Sequence, residues 1–237
     1  MSFSAWLLPF VVAGSAVCLV GARDWPARAW RLWGLLAVAA GALLLGRLGY
    51  IGLNSAYFGE RPAVWLGDAA AGYSAHTAWV GGWLGWRLSG RRVPAHLLAA
   101  AGLLAAIGVS FGCAQAACAY GREVGFGDGL LWLLRVDGPD AYGLSNPRIP
   151  TQLFLAAWLG GGLLILALMR DRLAKRDIIP AATLWFALGD LVIQLMRSDP
   201  APAWFGLRAQ MALDGILILS VALAFARRQP NANRPPS

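Results

Sequence analysis

The chain has 237 residues, of which 58% are hydrophobic and only 14% charged, and its net charge is +8. Soluble globular domains have roughly 45–50% apolar and about 25% charged residues. The composition therefore excludes an ordinary soluble domain and points to a polytopic protein whose solvent is lipid. Twelve Trp suit belts at the two membrane–water interfaces.

The chain opens with "MSFSAWLLPFVVAGSAVCLVGA". No Lys or Arg precedes the apolar run and no small-x-small cleavage site follows it, so the segment reads as a retained first span rather than a signal peptide. Seven apolar segments are long enough, or nearly so, to cross a bilayer: Phe3–Ala22, Trp30–Leu53, His76–Gly90, Ala95–Cys113, Thr151–Met169, Ala181–Met196 and Leu207–Ala226. The third and sixth are short. The expected fold is an all-α integral membrane protein with seven transmembrane helices in one domain over residues 1–226. A disordered cytoplasmic tail over 227–237 is expected to follow.

Charge sets the expected orientation. The first connection carries Arg23, Arg28 and Arg31, and the third Arg87, Arg91 and Arg92. The fifth carries Arg170, Arg172, Lys175 and Arg176, and the tail Arg227, Arg228 and Arg234. The even connections are mixed or acidic, with Asp68, Glu123, Asp128, Asp137, Asp140 and Asp199 among them. By the positive-inside rule the odd connections and the C-terminus are cytoplasmic and the N-terminus is outside. The basic charge is thus a topology signal. No single basic face is left for a nucleic acid, which is excluded as a partner. The two long connections, 54–75 and 114–150, face outward, and loops of that length mean function or disorder. No internal repeat supports an inverted-repeat transporter.

Three cysteines make no disulfide framework. Cys18 lies in an apolar run. Cys113 and Cys118, five apart on an expected helix, point in different directions and read as structural thiols rather than a metal or redox pair.

Polar groups inside spans are costly and should face an interior cavity. Arg47 lies near the outer end of the second span, His76 opens the third and Gln152 the fifth. Asp190, Gln194 and Arg197, spaced four and three apart, share one stripe of the sixth, and Arg208, Gln210 and Asp214 begin the seventh. All lie toward the outer side, so a polar cavity open to the outer leaflet is expected. Each group also has a structural reading: His76 as an interfacial histidine, and Asp190 and Asp214 as partners of Arg47 or Arg208. The glutamines read equally as interhelical glue. Arg47 with Asp190 is the expected intramembrane pair. His96 reads as a cytoplasmic surface residue, and Trp33, Trp79 and Trp83 as packing or interfacial.

The order of segments adds a resemblance. "GYSAHTAWVGGWLG" resembles the "SFHGGLIG" element of the prolipoprotein diacylglyceryl transferases, with His76 on the family histidine and Gly81 on its last glycine. "RLWG" (Arg31–Gly34) resembles "RWYG", and "GRLGY" (Gly46–Tyr50) resembles "ARLGY". "GCAQAACAYGR" (Gly112–Arg122) is similar to the signature variant "GCFLAGCCYGR", and "IPTQLF" (Ile149–Phe154) to "HPSQLYE". "LGDLVIQLMRSD" (Leu188–Asp199) resembles "FRFLVEFLREPD", and "RAQ" (Arg208–Gln210) resembles "MGQ".

The resemblance implies an enzyme of the bacterial inner membrane. It would move a diacylglyceryl group from phosphatidylglycerol to the lipobox cysteine of a prolipoprotein, with no cofactor and no metal. It implies His76 as the catalytic residue. It implies Arg47, Gly121, Arg122, Gln152, Asp190, Gln194, Arg197 and Gln210 as substrate-binding positions. Several of these depart from the family pattern. The signature arginine falls on Ser110, its asparagine on Cys113 and its acid on Cys118. The span-six arginine falls on Asp190, the following glutamate on Gln194, and a tyrosine near the second span on Trp33. The alternative expectation is a divergent relative that binds lipid or lipoprotein, or that uses another lipid donor.

Overall fold

A computed structural model describes residues 3–19, 25–65, 72–140 and 142–227. Nine α-helices occur among them. Two are long, α1 (Phe3–Leu19) and α2 (Trp25–Leu53), and α3 (Ser55–Gly59) is a single turn. Next come α4 (Ala75–Leu88), α5 (Ala95–Gln115) and the one-turn α6 (Leu130–Leu133). The last three are α7 (Thr151–Leu168), α8 (Ile178–Met196) and α9 (Ala209–Ala226). Two small antiparallel hairpins sit in the connections: β1 (Val136–Pro139) with β2 (Ser145–Arg148), and β3 (Ala203–Trp204) with β4 (Leu207–Arg208). The seven expected segments each carry a helix. However, α2 begins five residues earlier, α8 three earlier, and α4 ends two earlier.

Among the described residues five helices are long and apolar enough to cross a membrane: α2, α5, α7, α8 and α9. This makes the chain a mostly helical, multi-pass membrane protein. α1 and the 14-residue α4 are shorter. Arg23, Asp68, Arg228, Arg234 and the tail beyond 227 lie outside the described residues. Three prolines sit where a missing N–H costs nothing: Pro94 and Pro150 precede α5 and α7, and Pro180 lies in the first turn of α8, whereas Pro9 lies inside α1.

Two kinds of contact hold the bundle. α2 and α4 meet through small residues. A Cβ added at Gly81 would fall on the Gly41 carbonyl, one at Gly41 on the Gly81 carbonyl, and one at Gly85 on the Ala37 carbonyl. Backbone against backbone is how helices associate where lipid removes the hydrophobic drive. α7 and α8 meet through tryptophan. Trp158 and Trp185 stack with centroids 4.4 Å apart, and each indole N–H donates to the other's carbonyl, at 2.8 and 2.9 Å. Each ring also fills the space over a glycine of the facing helix, Trp158 over Gly189 and Trp185 over Gly162. Leu103, Ile107, Leu159 and Phe186 form the core between α5, α7 and α8.

The long connection after α5 is ordered over its described residues. Arg148, buried, donates to Glu123 at 2.7 Å and Asp140 at 3.3 Å, and its guanidinium lies over the Tyr120 ring. Cys113 and Cys118 form a disulfide, which corrects the reading of two separate thiols. α5 stops at Gln115, and Ala117 and Ala119 adopt positive φ, so the chain doubles back and brings the two sulfurs together. Cys18 stays a buried thiol against the Leu97 carbonyl.

Candidate active site

The start of α4 is built by its neighbours. Ser74 donates its backbone N–H to the Gly46 carbonyl at 3.0 Å. Gly72 sits at φ +96 against the Tyr50 ring, where a side chain would be both strained and blocked. Arg47 donates to the carbonyls of Val64, Trp65 and Gly72 at 2.9–3.1 Å. Arg47 therefore holds the segment that delivers His76, and it is not the partner of Asp190. The expected pair is replaced because a nearer cation-capable group, His76, reaches the aspartate first.

His76 is the hub. Its Nε2 lies 2.9 Å from Asp214 Oδ1 on α9 and 3.2 Å from Asp190 Oδ2 on α8, and all three side chains are at least nine-tenths buried. With both carboxylates at one nitrogen, the proton of the neutral ring belongs on Nε2 and the lone pair on Nδ1. Among the described residues no hydrogen bond is made to Nδ1. The ring leans edge-on to Phe186, which stacks flat on Trp79, and Trp79 donates to Thr183 at 2.9 Å.

From this hub a polar chain runs outward along α8. Gln194 Nε2 donates to Asp190 at 2.9 Å, and Arg208 Nε donates to Gln194 Oε1 at 3.2 Å. Arg208 also donates to Asp199 Oδ1 at 2.9 Å. Asp199 accepts a two-pronged bond from Arg197, at 2.8 and 2.6 Å. Two guanidiniums thus share one carboxylate. Burial opposes charge on Arg197, but Asp199, and through space Asp190 and Asp214, hold its guanidinium above its ordinary pKa.

The remaining expected residues form the frame. Gly121 pairs with Arg197 in an isolated bridge, Arg122 N–H donates to the Met196 carbonyl at 2.9 Å, and Ser198 N–H to the Tyr120 carbonyl at 3.1 Å. A Cβ at Gly121 would strike the Ile149 carbonyl. Gln152 Nε2 donates to the Cys118 carbonyl at 2.6 Å, beside the disulfide. The Arg122 side chain is half-exposed and bonded to Asp128 at 2.9 Å, so it belongs to the loop rather than to the polar chain. Gln210 lies one turn before Asp214, and its Oε1 is buried without a hydrogen-bond donor.

The structure thus joins His76, Asp190, Gln194 and Arg197, and keeps Arg47, Gly121, Arg122 and Gln152 in the supporting shell. Three members were not among the site residues that the resemblance implied: Asp199, and Arg208 and Asp214, which were expected only to line the polar cavity. The Gln210–Asp214 spacing was a usable signal for the first. Arg208 is placed by the β3–β4 hairpin, whose two-residue turn, Phe205 and Gly206, has φ of 51 and 80. Primed turns of that kind are typical of tight hairpins.

The arrangement sets a proton-accepting ring between two carboxylates at one end of a connected chain, and two guanidiniums sharing one carboxylate at the other. A family model described as prolipoprotein diacylglyceryl transferase matches residues 6–227. No curated protein matches the chain.

Proposed function

The chain belongs to the prolipoprotein diacylglyceryl transferase family, and from that premise we propose that it transfers a diacylglyceryl group from phosphatidylglycerol to a lipobox cysteine. The observation that carries this reading is the polar chain from Asp214 through His76, Asp190, Gln194 and Arg208 to Asp199 and Arg197. His76 takes the thiol proton on Nδ1, with Asp214 and Asp190 fixing its tautomer and supporting the imidazolium that forms. The thiolate sulfur attacks the glyceryl carbon, a C–S bond forms, and the C–O bond to phosphate breaks. Glycerophosphate leaves with the electron pair. Arg197 and Arg208, less the one charge of Asp199, leave one positive charge to meet it.

A cavity of about 1010 Å³ lies between α4, α8 and α9, with Trp79, Trp83, Ile179, Leu217 and Val221 among its apolar walls, a place for acyl chains, and with Arg87, Arg91, Lys175, Arg176 and Arg227 also lining it. Trp79 links it to Phe186 and so to His76.

The chain acts as a single membrane domain, residues 1–226, in the bacterial inner membrane. Its seven spans are α1, α2, α4, α5, α7, α8 and α9, its N-terminus is outside, and the tail 227–237 is cytoplasmic. The basic odd connections support this, and so does the Cys113–Cys118 disulfide at the end assigned to the oxidising side.

One feature favours a second reading, a relative that uses a less acidic donor or only binds lipid or lipoprotein. Asp190 and Asp214 put two carboxylates within reach of any phosphate held at the chain. The test is transfer of labelled diacylglyceryl from phosphatidylglycerol to a lipobox peptide by purified protein in detergent. Cysteine-dependent labelling is expected. No labelling, or equal labelling from a neutral diacyl lipid, rejects phosphatidylglycerol transfer.

A further inference from the structure

The cavity between α4, α8 and α9 has two unlike ends. Along α4 its lining runs from Trp79 to Arg87, about 12 Å of helix. Trp79 leads to His76 through Phe186. At the other end Arg87, Arg91, Lys175, Arg176 and Arg227 line it, and all five are exposed. They come from three places: the end of α4, the connection between α7 and α8, and the residue after α9. Among the described residues the lining contains no Asp or Glu. Asp177, outside the lining, stands 4.0 Å from Arg176 and offsets one charge at most.

The positive-inside rule accounts for basic residues in these connections, but not for their meeting at one apolar cavity. Two of them are also held in place. Arg87 lies over the Trp83 ring, 5.1 Å from its centroid, and Arg91 over Trp86 at 5.6 Å. Both rings line the cavity. Arg91 sits at φ +58, where a residue with a side chain is disfavoured, directly after Gly90 at φ +74. Gly90 N–H donates to the Arg87 carbonyl at 3.1 Å and Arg91 N–H to the Trp86 carbonyl at 3.0 Å, the pattern that closes a helix and turns the chain back. That turn returns the Arg91 guanidinium to the cavity wall.

We propose that this basic end binds the phosphate of an acidic phospholipid from the cytoplasmic leaflet, with its acyl chains along the apolar walls. Arg grips phosphate with paired N–H groups and Lys as a point charge. Basic pockets between membrane helices on the cytoplasmic side hold acidic headgroups in this way. A soluble phosphate compound would meet the same cations but has no use for Trp83, Leu217 or Val221, so the walls favour a lipid. The site takes none of the atoms of the His76 chain and shares only the apolar walls with a donor. Binding here does not rest on the transfer reading; only the naming of the leaflet rests on the orientation proposed above.

The experiment counts the lipids held by delipidated full chain in a neutral detergent, by native mass spectrometry. The probe is dioleoyl phosphatidic acid, which has the phosphate but not the glycerol headgroup of the proposed donor. Dioleoyl phosphatidylcholine, with no net charge, is the control. Wild type should hold one phosphatidic acid about tenfold or more tightly than phosphatidylcholine at low salt, and the gap should narrow as salt rises. Arg87→Gln, Arg91→Gln and Lys175→Gln combined should abolish that preference, whereas Arg87→Lys with Arg91→Lys should keep most of it. The wild-type comparison decides even if the triple variant fails to fold: no preference for phosphatidic acid overturns the site. An unchanged count and preference in the folded triple variant overturns it too. Displacement of the lipid by an equal concentration of inorganic phosphate would overturn the lipid assignment in favour of a soluble phosphate.

Discussion

Helix α4 turns two unlike faces to its neighbours. Thr77, Gly81 and Gly85, spaced four apart, meet α2 with almost no side chain between the backbones. His76 and Trp79 lie on the other side, against α8 and α9, and make side-chain contacts there: a histidine–carboxylate contact, a ring stack and an indole hydrogen bond. The first face fixes where the helix sits, and the second depends on that position. Asp190 and Asp214 reach Nε2 from separate helices, so a small shift of α4 would break both contacts at once.

The largest effect is expected on the polar face. His76→Gln keeps a donor for the two carboxylates but removes the proton acceptor. Transfer should fall about 10²–10⁴-fold, with little change in the melting temperature of the purified protein. Transfer within a few-fold of wild type would mean that the polar face holds the bundle together and does no chemistry.

Next comes the glycine face. Gly81→Ile places a branched side chain on the Gly41 carbonyl, with backbone on both sides and no flexible neighbour to yield. A loss of about 1–3 kcal/mol or more is expected, read as a lower melting temperature in detergent. Transfer by whatever remains folded should fall as well, because His76 moves with the helix. An unchanged melting temperature would show that α2 and α4 are not the close pair described.

Part of the fold and of the site was legible in the sequence, and the rest, including the glycine face of α4, was hidden for physical reasons. Apolar run length located a helix in each of the seven expected segments, five of them long and apolar enough to cross a membrane. The four- and three-residue spacing of Asp190, Gln194 and Arg197 gave their shared stripe. Pairing did not follow from spacing. Arg47 was matched to Asp190 by charge alone, whereas its guanidinium is taken by three carbonyls of the adjoining loop. Cys113 and Cys118 were placed on a helix that in fact ends before the second of them. Asp214 was noticed as a polar residue, but its place beside His76 depends on how α9 packs against α4 and α8. No local pattern encodes that.

The smallest effect belongs to a place that touches neither face. Asp128 accepts the Gly125 backbone N–H at 2.7 Å and Arg122 Nη2 at 2.9 Å. The Gly125 bond first, and then Arg122, hold its carboxyl below the usual carboxylate range. A carboxyl depressed in the folded state adds stability that is fully present above its unfolded pKa of about 3.9. That stability is lost as pH falls through the lower folded value. The pair lies at the surface, with Arg122 half-exposed and Asp128 partly so, and water and salt screen it, so its effect should stay within the loop. Asp128→Asn should raise the rate at which an added protease cuts residues 123–135 at about neutral pH. The excess over wild type should vanish once pH falls through the depressed value at which the wild-type carboxyl is itself protonated. Transfer should be unchanged throughout, since Arg122 reaches Asp128 and not the His76 chain. If Asp128→Asn lowers transfer as strongly as His76→Gln, Arg122 belongs to the chemistry after all, and the line drawn between the loop and the polar face is in the wrong place.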